Sequence, residues 1–218
     1  MVRLDIYSDP ICPWCYIGKT HLDRALKAAG GTPFEIFWRP FQLNPDMLPE
    51  GVGRKAYLEA KFGGPEGAQR IYGAIETAAE AAGVVVNFAN IIRTPNTLNA
   101  HRLISWAGAE AGVEDCQSTV VDALFTAYFI DGRDIGETSV LADIAQAAGM
   151  DRAAVAQLLD GDIDLDDIRK ADAEARRRGI NSVPTFIINQ QHAVPGAQPP
   201  ELWARVIEDI RTQQEQVH

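Results

Sequence analysis

What this sequence has little of narrows it first. Only three of its 218 residues are cysteine, so one thiol is left over after any pairing, and the chain lacks the disulfide framework on which small secreted domains depend. It has four histidines, and none is spaced with a partner as zinc ligands are. No run of about 18 apolar residues occurs, which excludes an ordinary membrane-spanning helix. The opening residues, Met1-Val2-Arg3-Leu4-Asp5, contain no basic segment followed by an apolar one, so no secretory leader is read there and the expected compartment is the cytoplasm. Positive charge is the scarcer sign: 20 Lys and Arg against 30 Asp and Glu give a formal net charge of −10, unfavourable for binding nucleic acid or an anionic membrane.

What is present fits an ordinary globular chain. With 46% hydrophobic and 23% charged residues, the sequence is long enough for one well-buried core carrying a large insertion, and too short to require two independent domains. Val2 to Tyr7 alternates with period two and reads as a strand, with Ser8-Asp9-Pro10 as the turn. Cys12 to about Ala29 has helical spacing and stops at Gly30-Gly31, and Phe34 to Trp38 is a second strand. Strand, helix and strand in succession predict a right-handed crossover and parallel pairing. From Val52 to Gly179 the pattern is almost unbroken helix: Arg54–Phe62, Glu66–Ala82, Thr97–Gly112, Cys116–Phe129, Ser139–Ala148, Ala153–Leu159 and Leu165–Arg178. Thr138 and Asp151 are the expected N-caps, and Gly83, Gly112, Gly149 and Gly179 the expected stops. Thr185–Ile188 and His192–Val194 then form a hairpin, and Pro200 to about Gln214 closes the fold as a helix.

The chemistry sits in Asp9-Pro10-Ile11-Cys12-Pro13-Trp14-Cys15-Tyr16, where the strand pattern gives way to the helix pattern. On a first helical turn, two cysteines two residues apart can bring their sulfurs within reach, so a dithiol opens and closes with little backbone movement. Pro13 suits the first helical position, because its missing N–H costs nothing there. Cys12 is left at the helix mouth, where free N–H groups and the macrodipole favour thiolate over thiol. The thiolate is the attacking species in disulfide exchange, and Cys15, one turn in, is the more buried partner that resolves a mixed disulfide. Trp14 is expected to be exposed as substrate-contact surface. Two plainer readings stand beside this one. A Cys-x-x-Cys can be half of a zinc site, but Cys116, His21, His101, His192 and His218 supply no second pair of ligands. Two cysteines can also be simple core hydrophobes, the reading given to Cys116, whose neighbours Glu114 and Asp115 oppose a thiolate.

A second feature lies far along the chain, in Asn181-Ser182-Val183-Pro184-Thr185-Phe186. A proline just before a β-branched apolar run begins a strand or lies at an edge, since it has no N–H for the ladder. These two stretches, with Asn96-Thr97 through His101-Arg102-Leu103 and Val194-Pro195-Gly196-Ala197-Gln198, resemble the DsbA-like thioredoxin-fold oxidoreductases. Within them the resemblance is to the FrnE-like branch, related to 2-hydroxychromene-2-carboxylate isomerases and kappa-class glutathione transferases. It covers essentially the whole chain. It implies that Val183-Pro184 is a cis-proline loop facing the dithiol, and that Asn96 or His101 lines the cleft over Cys12; read from the residues alone, Asn96 or Thr97 caps the helix that starts at Thr97, and His101 is a half-buried helix histidine. The related isomerases and transferases carry serine where Cys12 stands, so two cysteines argue for redox work. The hydroxyl and carboxylate that glutathione-binding relatives use in the last loop are here Ala197 and Gln198.

The expected fold is therefore α/β and thioredoxin-like, β-α-β … β-β-α, with residues 1–51 and 180–218 as the thioredoxin-like domain and 52–179 as an inserted helical subdomain. The expected activity is thiol-disulfide exchange with protein or glutathione substrates. The alternative is a glutathione-dependent isomerase or transferase of a small aromatic molecule. Cys12 and Cys15 are the catalytic candidates. Pro13, Trp14, Val183, Pro184, Asn96 and His101 are the substrate-binding ones. No metal and no tightly bound cofactor are expected; glutathione is a candidate co-substrate, and the chain is read as a monomer or homodimer.

Overall fold

The structure is a computed structural model that describes residues 1–110 and 115–216. In chain order its elements are β1 (Val2–Ser8), α1 (Pro13–Ala28), β2 (Phe34–Pro40), β3 (Val52–Gly53), α2 (Arg54–Phe62), α3 (Pro65–Ala82), β4 (Arg93–Thr94), α4 (Leu98–Ala107), α5 (Cys116–Phe125), α6 (Thr138–Ala147), α7 (Arg152–Asp160), α8 (Leu165–Arg177), β5 (Thr185–Ile188), β6 (His192–Pro195) and α9 (Pro200–Gln216). The main sheet has the order β2-β1-β5-β6. β1 pairs in parallel with β2 from Val2 opposite Phe34 to Ser8 opposite Pro40, and antiparallel with β5, so the β-α-β … β-β-α arrangement is the one expected.

The alternation of β1 explains its central place. Leu4 and Ile6 are fully buried, while Asp5 between them is held by the guanidinium groups of Arg3 (2.7 Å) and Arg39 (2.6 Å). The helical stretch 52–179 shares one continuous apolar core with this sheet, running from Leu4, Ile6 and Phe186 to Leu103, Leu124, Phe125 and Leu141. A smaller cluster of Ile17, Ile75, Ala79, Ala82 and Val84 joins α1 to α3. At the sheet's β2 edge, α5 supplies polar cover. The Trp38 backbone N–H donates to Gln117 Oε1 (2.8 Å), Gln117 Nε2 donates back to the Trp38 carbonyl (3.4 Å), and the indole N–H donates to Ser118 Oγ (3.1 Å).

Several boundaries differ from the sequence expectation. The two-residue ladder β3–β4, Val52 opposite Thr94, was not expected within the helical stretch. α4 ends at Ala107, where Gly108 N–H returns to the Ile104 carbonyl; the stop expected at Gly112 lies outside the described residues. Thr138 is the first helical residue of α6 rather than its cap. Glu137 takes the cap position, because its N–H bonds back to the Asp134 carbonyl (3.1 Å) and turns the chain one residue early. Asp151 does cap α7, its Oδ1 accepting from Ala153 N and Ala154 N at 2.9 Å each. The helix expected to run to Phe129 instead passes at Thr126–Ile130 into a π-helical turn that buries Ala127, Tyr128 and Phe129.

Candidate active site

The site is built on the junction between β1 and α1. Cys12 is the N-cap of α1, with extended backbone (φ −90°, ψ 113°), and its carbonyl accepts from Cys15 N (3.0 Å) and Tyr16 N (3.3 Å). Pro13 takes the first helical position, where no N–H is needed. The turn before it is fixed by Asp9, which is fully buried. Its backbone carbonyl accepts from Cys12 N (2.9 Å), Oδ1 from Ile11 N (3.2 Å) and Oδ2 from Leu43 N (2.7 Å), so one side chain ties the dithiol turn to the segment that leaves β2. Burial pushes the Asp9 carboxyl up to about 7, against the opposing pull of the Leu43 and Ile11 N–H groups and the Thr97 hydroxyl.

The two sulfurs have different surroundings. Cys12 Sγ lies 3.7 Å from the Val183 carbonyl oxygen, a contact spanning 171 residues of sequence, and the Val183-Pro184 bond is cis. Cys15 is 1% exposed. Burial first, and then the neighbouring Cys12, push its thiol well above the ordinary range, with the Ser8 hydroxyl and the Asp9 backbone N–H pulling the other way. Cys12 is itself buried, at 4% exposed, with its sulfur turned toward the proline loop, and Cys15 stands behind it as a thiol.

Glycine at position 18 lets that loop come close. A Cβ there would lie 2.9 Å from Pro184 Cγ and 3.3 Å from Ala197 Cα. The loop is latched from its far side by Gly196 N donating to the Pro184 carbonyl at 2.8 Å. Gly18→Val is expected to cost about 1–3 kcal/mol in urea denaturation through overpacking. It should also slow disulfide exchange well below the melting temperature, because the loop is driven off Cys12. An unchanged exchange rate would show that this approach is not required.

Cys12, Pro13, Trp14 and Val183 line one cavity of about 310 Å³, and Pro184 packs against Gly18 beside it. Trp14 is 40% exposed and, with exposed Asn181, Ser182 and Lys61, forms the mouth through which Cys12 is reached. The structure does not bring Asn96 or His101 to this cavity. Asn96 Nδ2 donates to the Met47 carbonyl (2.6 Å) and its Oδ1 accepts from Leu98 N (2.9 Å), so its amide is spent on the start of α4. His101 is buried, with Nε2 unpartnered; burial holds its imidazole down at about 4, opposed by Asp172 and the Phe41 backbone. Gln198 Nε2 donates to the Pro195 carbonyl (2.7 Å) within its own turn. Cys116 is buried in the core, its Sγ directed at the Ala148 carbonyl, and burial followed by Glu110 and Asp115 pushes its thiol up. A larger cavity of about 750 Å³, lined by Arg3, Asp5, Tyr7, Arg39 and Arg178 among others, contains none of the cysteines.

Sequence reasoning did not single out Arg54, Lys61, Tyr57, Tyr72 and Tyr128, which all line the Cys12 cavity, nor the buried Asp9. For Arg54 a signal existed: α2 opens with Arg54-Lys55 and has no acidic residue in its first turn, the reverse of what a helix N-terminus favours. For Tyr128 there was none, because the π-helical turn that places it departs from the helical period.

Comparison with known proteins now decides the family. The sequence profile of the DSBA-like thioredoxin domain matches residues 3–208. The chain belongs to that family. A relative, the uncharacterised protein YwbO of Bacillus subtilis, is 29% identical over 213 residues, covering 95% of this chain and 96% of its own. A crystal structure of a probable DsbA oxidoreductase from Streptomyces coelicolor superposes with a TM-score of 0.84 at 28% identity, covering 97% of this chain and 91% of that one. The DSBA-like fold is shared with a 2-hydroxychromene-2-carboxylate isomerase (TM-score 0.72, 17% identity, 99% of each chain). It is shared as well with the cytosolic disulfide reductase DsbM of Pseudomonas aeruginosa (TM-score 0.67, 17% identity, 99% of this chain and 100% of that one).

Proposed function

We propose that this DSBA-like chain is a thiol-disulfide oxidoreductase acting through Cys12 and Cys15 on protein disulfides or glutathione in the cytoplasm. The reading is carried by one observation: Cys12, 4% exposed, lines a cavity whose rim includes exposed Trp14, Lys61, Asn181 and Ser182, and its Sγ lies 3.7 Å from the Val183 carbonyl, with Cys15 more deeply buried. In the proposed reaction the Cys12 thiolate attacks one sulfur of the substrate disulfide. A Cys12–substrate disulfide forms as the substrate's second sulfur leaves as a thiolate. Cys15, once deprotonated, attacks Cys12 Sγ, the second substrate thiol departs, and the protein's dithiol is oxidised to a disulfide while the substrate is reduced. A thiol reductant of the glutathione class must then return two electrons. The Val183 backbone, one residue before Pro184, is placed to pair with an extended substrate beside Cys12.

A second reading rests on the aromatic lining of the cavity, Tyr57, Phe62, Tyr72 and Tyr128. These would suit a small aromatic molecule processed with glutathione held at Cys12. Cys15→Ser separates the two. Under oxidoreduction this variant accumulates a stable Cys12 mixed disulfide, seen by mass spectrometry as one substrate adduct per chain, and turns over insulin or scrambled ribonuclease no faster than background. Turnover equal to wild type, with no trapped adduct, would rule out a resolving role for Cys15.

A further inference from the structure

Burying a charge is costly unless it is paired or hydrogen-bonded, and among the described residues three buried cations meet that cost differently. Lys19, 5% exposed, sits between Asp23 (2.6 Å) and Asp122 (2.7 Å). Arg102, 1% exposed, is held by the carbonyls of Leu158, Leu159 and Gly161 and by Asn99 Oδ1. Arg54 is 6% exposed, yet among the described residues no carboxylate stands within ion-pair distance of it. Its Nη1 and Nη2 donate to the phenol oxygens of Tyr128 (2.9 Å) and Tyr72 (2.8 Å), and its guanidinium lies 5.0 Å from the Tyr72 ring centre and 5.5 Å from that of Phe88. Phenols and ring faces offer dipoles and quadrupoles but no counter-charge.

This buried cation, hydrogen-bonded but without an ion pair among the described residues, belongs to the cavity of the reaction centre. Arg54 and Cys12 line the same cavity. The phenol of Tyr72 is pushed up by burial first, pulled down by Arg54 and pushed up again by Cys12, so both groups act on one hydroxyl. Lys61, exposed at the mouth, donates from Nζ to Tyr57 Oη (2.6 Å) and lines the cavity too. In a chain of net charge −10, two cations, phenols and apolar walls therefore line the cavity of the candidate nucleophile, with the buried Asp9 carboxyl beneath its turn acting on Tyr128 from the other side. We infer that Arg54, assisted by Lys61, is a carboxylate-binding subsite of the Cys12 cavity, selecting small disulfides that carry an anionic group on an apolar or aromatic body. The inference rests on Cys12 being the attacking sulfur. It adds which partner that sulfur meets: the carboxylate completes the charge of Arg54 and, through it, holds the disulfide bond over Cys12.

The test uses two aromatic disulfides of similar size on the reduced full-length protein. 5,5′-Dithiobis(2-nitrobenzoate) carries a carboxylate on each ring, and 2,2′-dithiodipyridine is neutral. With each, Cys12 forms a mixed disulfide and releases one aromatic thiol, and Cys15 then releases the second. Arg54→Met is expected to lower the anionic-to-neutral rate ratio about tenfold or more, the loss of a charged hydrogen bond. Arg54→Lys should restore part of it, and added salt should slow the anionic probe selectively in wild type. Equal slowing of both probes in Arg54→Met, accompanied by a drop in melting temperature, would make Arg54 a structural strut and overturn the inference. If Arg54→Met does not fold, Lys61→Gln, at an exposed position, and the salt series test the subsite through the same ratio: a ratio unchanged by both overturns it. A wild type inert to both probes would sink the exchange reading instead. The subsite is then judged by 2-nitrobenzoate quenching of tryptophan fluorescence: saturable quenching lost in Arg54→Met and partly kept in Arg54→Lys upholds it, and no saturable quenching in wild type, or quenching unchanged in Arg54→Met, overturns it.

Discussion

Cys12→Ser is expected to abolish disulfide exchange, by roughly three orders of magnitude or more, while leaving the fold in place, because a hydroxyl without an adjacent base does not attack sulfur. The substitution is nearly isosteric, and a serine hydroxyl can keep the contact that Cys12 Sγ makes with the Val183 carbonyl. The melting temperature should therefore move little while the rate collapses. Stopped-flow thiol release and thermal denaturation on the same preparation measure both. The variant also bears on the competing reading. A glutathione-holding site would tolerate serine at position 12, so retained turnover of a small aromatic substrate in Cys12→Ser would overturn the oxidoreductase proposal.

The second large effect concerns the pH dependence of stability. The Asp9 carboxyl is raised to about 7 in the folded protein from an ordinary value of 3.8. Folding thus favours its protonated form. Its contribution is fully present below about pH 4 and is lost as pH rises through about 7, a change of about 4 kcal/mol. His101 works in the opposite sense. Its imidazole is lowered to about 4 from 6.5, so its neutral form is favoured and stability falls as pH drops through that window. The two slopes oppose one another between pH 4 and about 6.5, and wild type should look nearly flat there. Asp9→Asn is expected to cost about 1–3 kcal/mol at pH 4, since an amide has one oxygen where Ile11 N and Leu43 N need two acceptors. Relative to wild type it should regain about 4 kcal/mol by pH 7.5. Urea denaturation of both proteins across this range gives the difference directly. A difference independent of pH would mean that Asp9 titrates as an ordinary surface carboxylate.

How much of this was legible follows from the range of the forces involved. Period-two alternation in Val2–Tyr7, the β-branched apolar run Thr185–Ile188 after Pro184, and the Pro13 start of α1 are local signals, and each element was found where it was read. The pairing of Cys12 with Val183 could be expected only from resemblance, because no local pattern connects residues 171 apart. Asn96 follows the plainer of its two readings: its Oδ1 accepts from Leu98 N at the start of α4 and its Nδ2 donates to Met47 O, a demand set by how the segment before β3 meets α4. Asp9 read as a turn residue and is one. That it is sealed from water by Leu43 and Thr97 depends on segments more than thirty residues away.

The amide of Gln117 has a consequence for the company this protein keeps. An outermost strand presents free N–H and C=O groups that invite another chain to zip on, the usual start of aggregation and domain exchange. At Trp38 both groups are already occupied by a single side chain reaching down from α5, and the indole beside them is tethered to Ser118. The helical stretch thereby acts as a guard rail at that position: while α5 stays docked, a foreign strand finds no vacant hydrogen-bonding partner at Trp38.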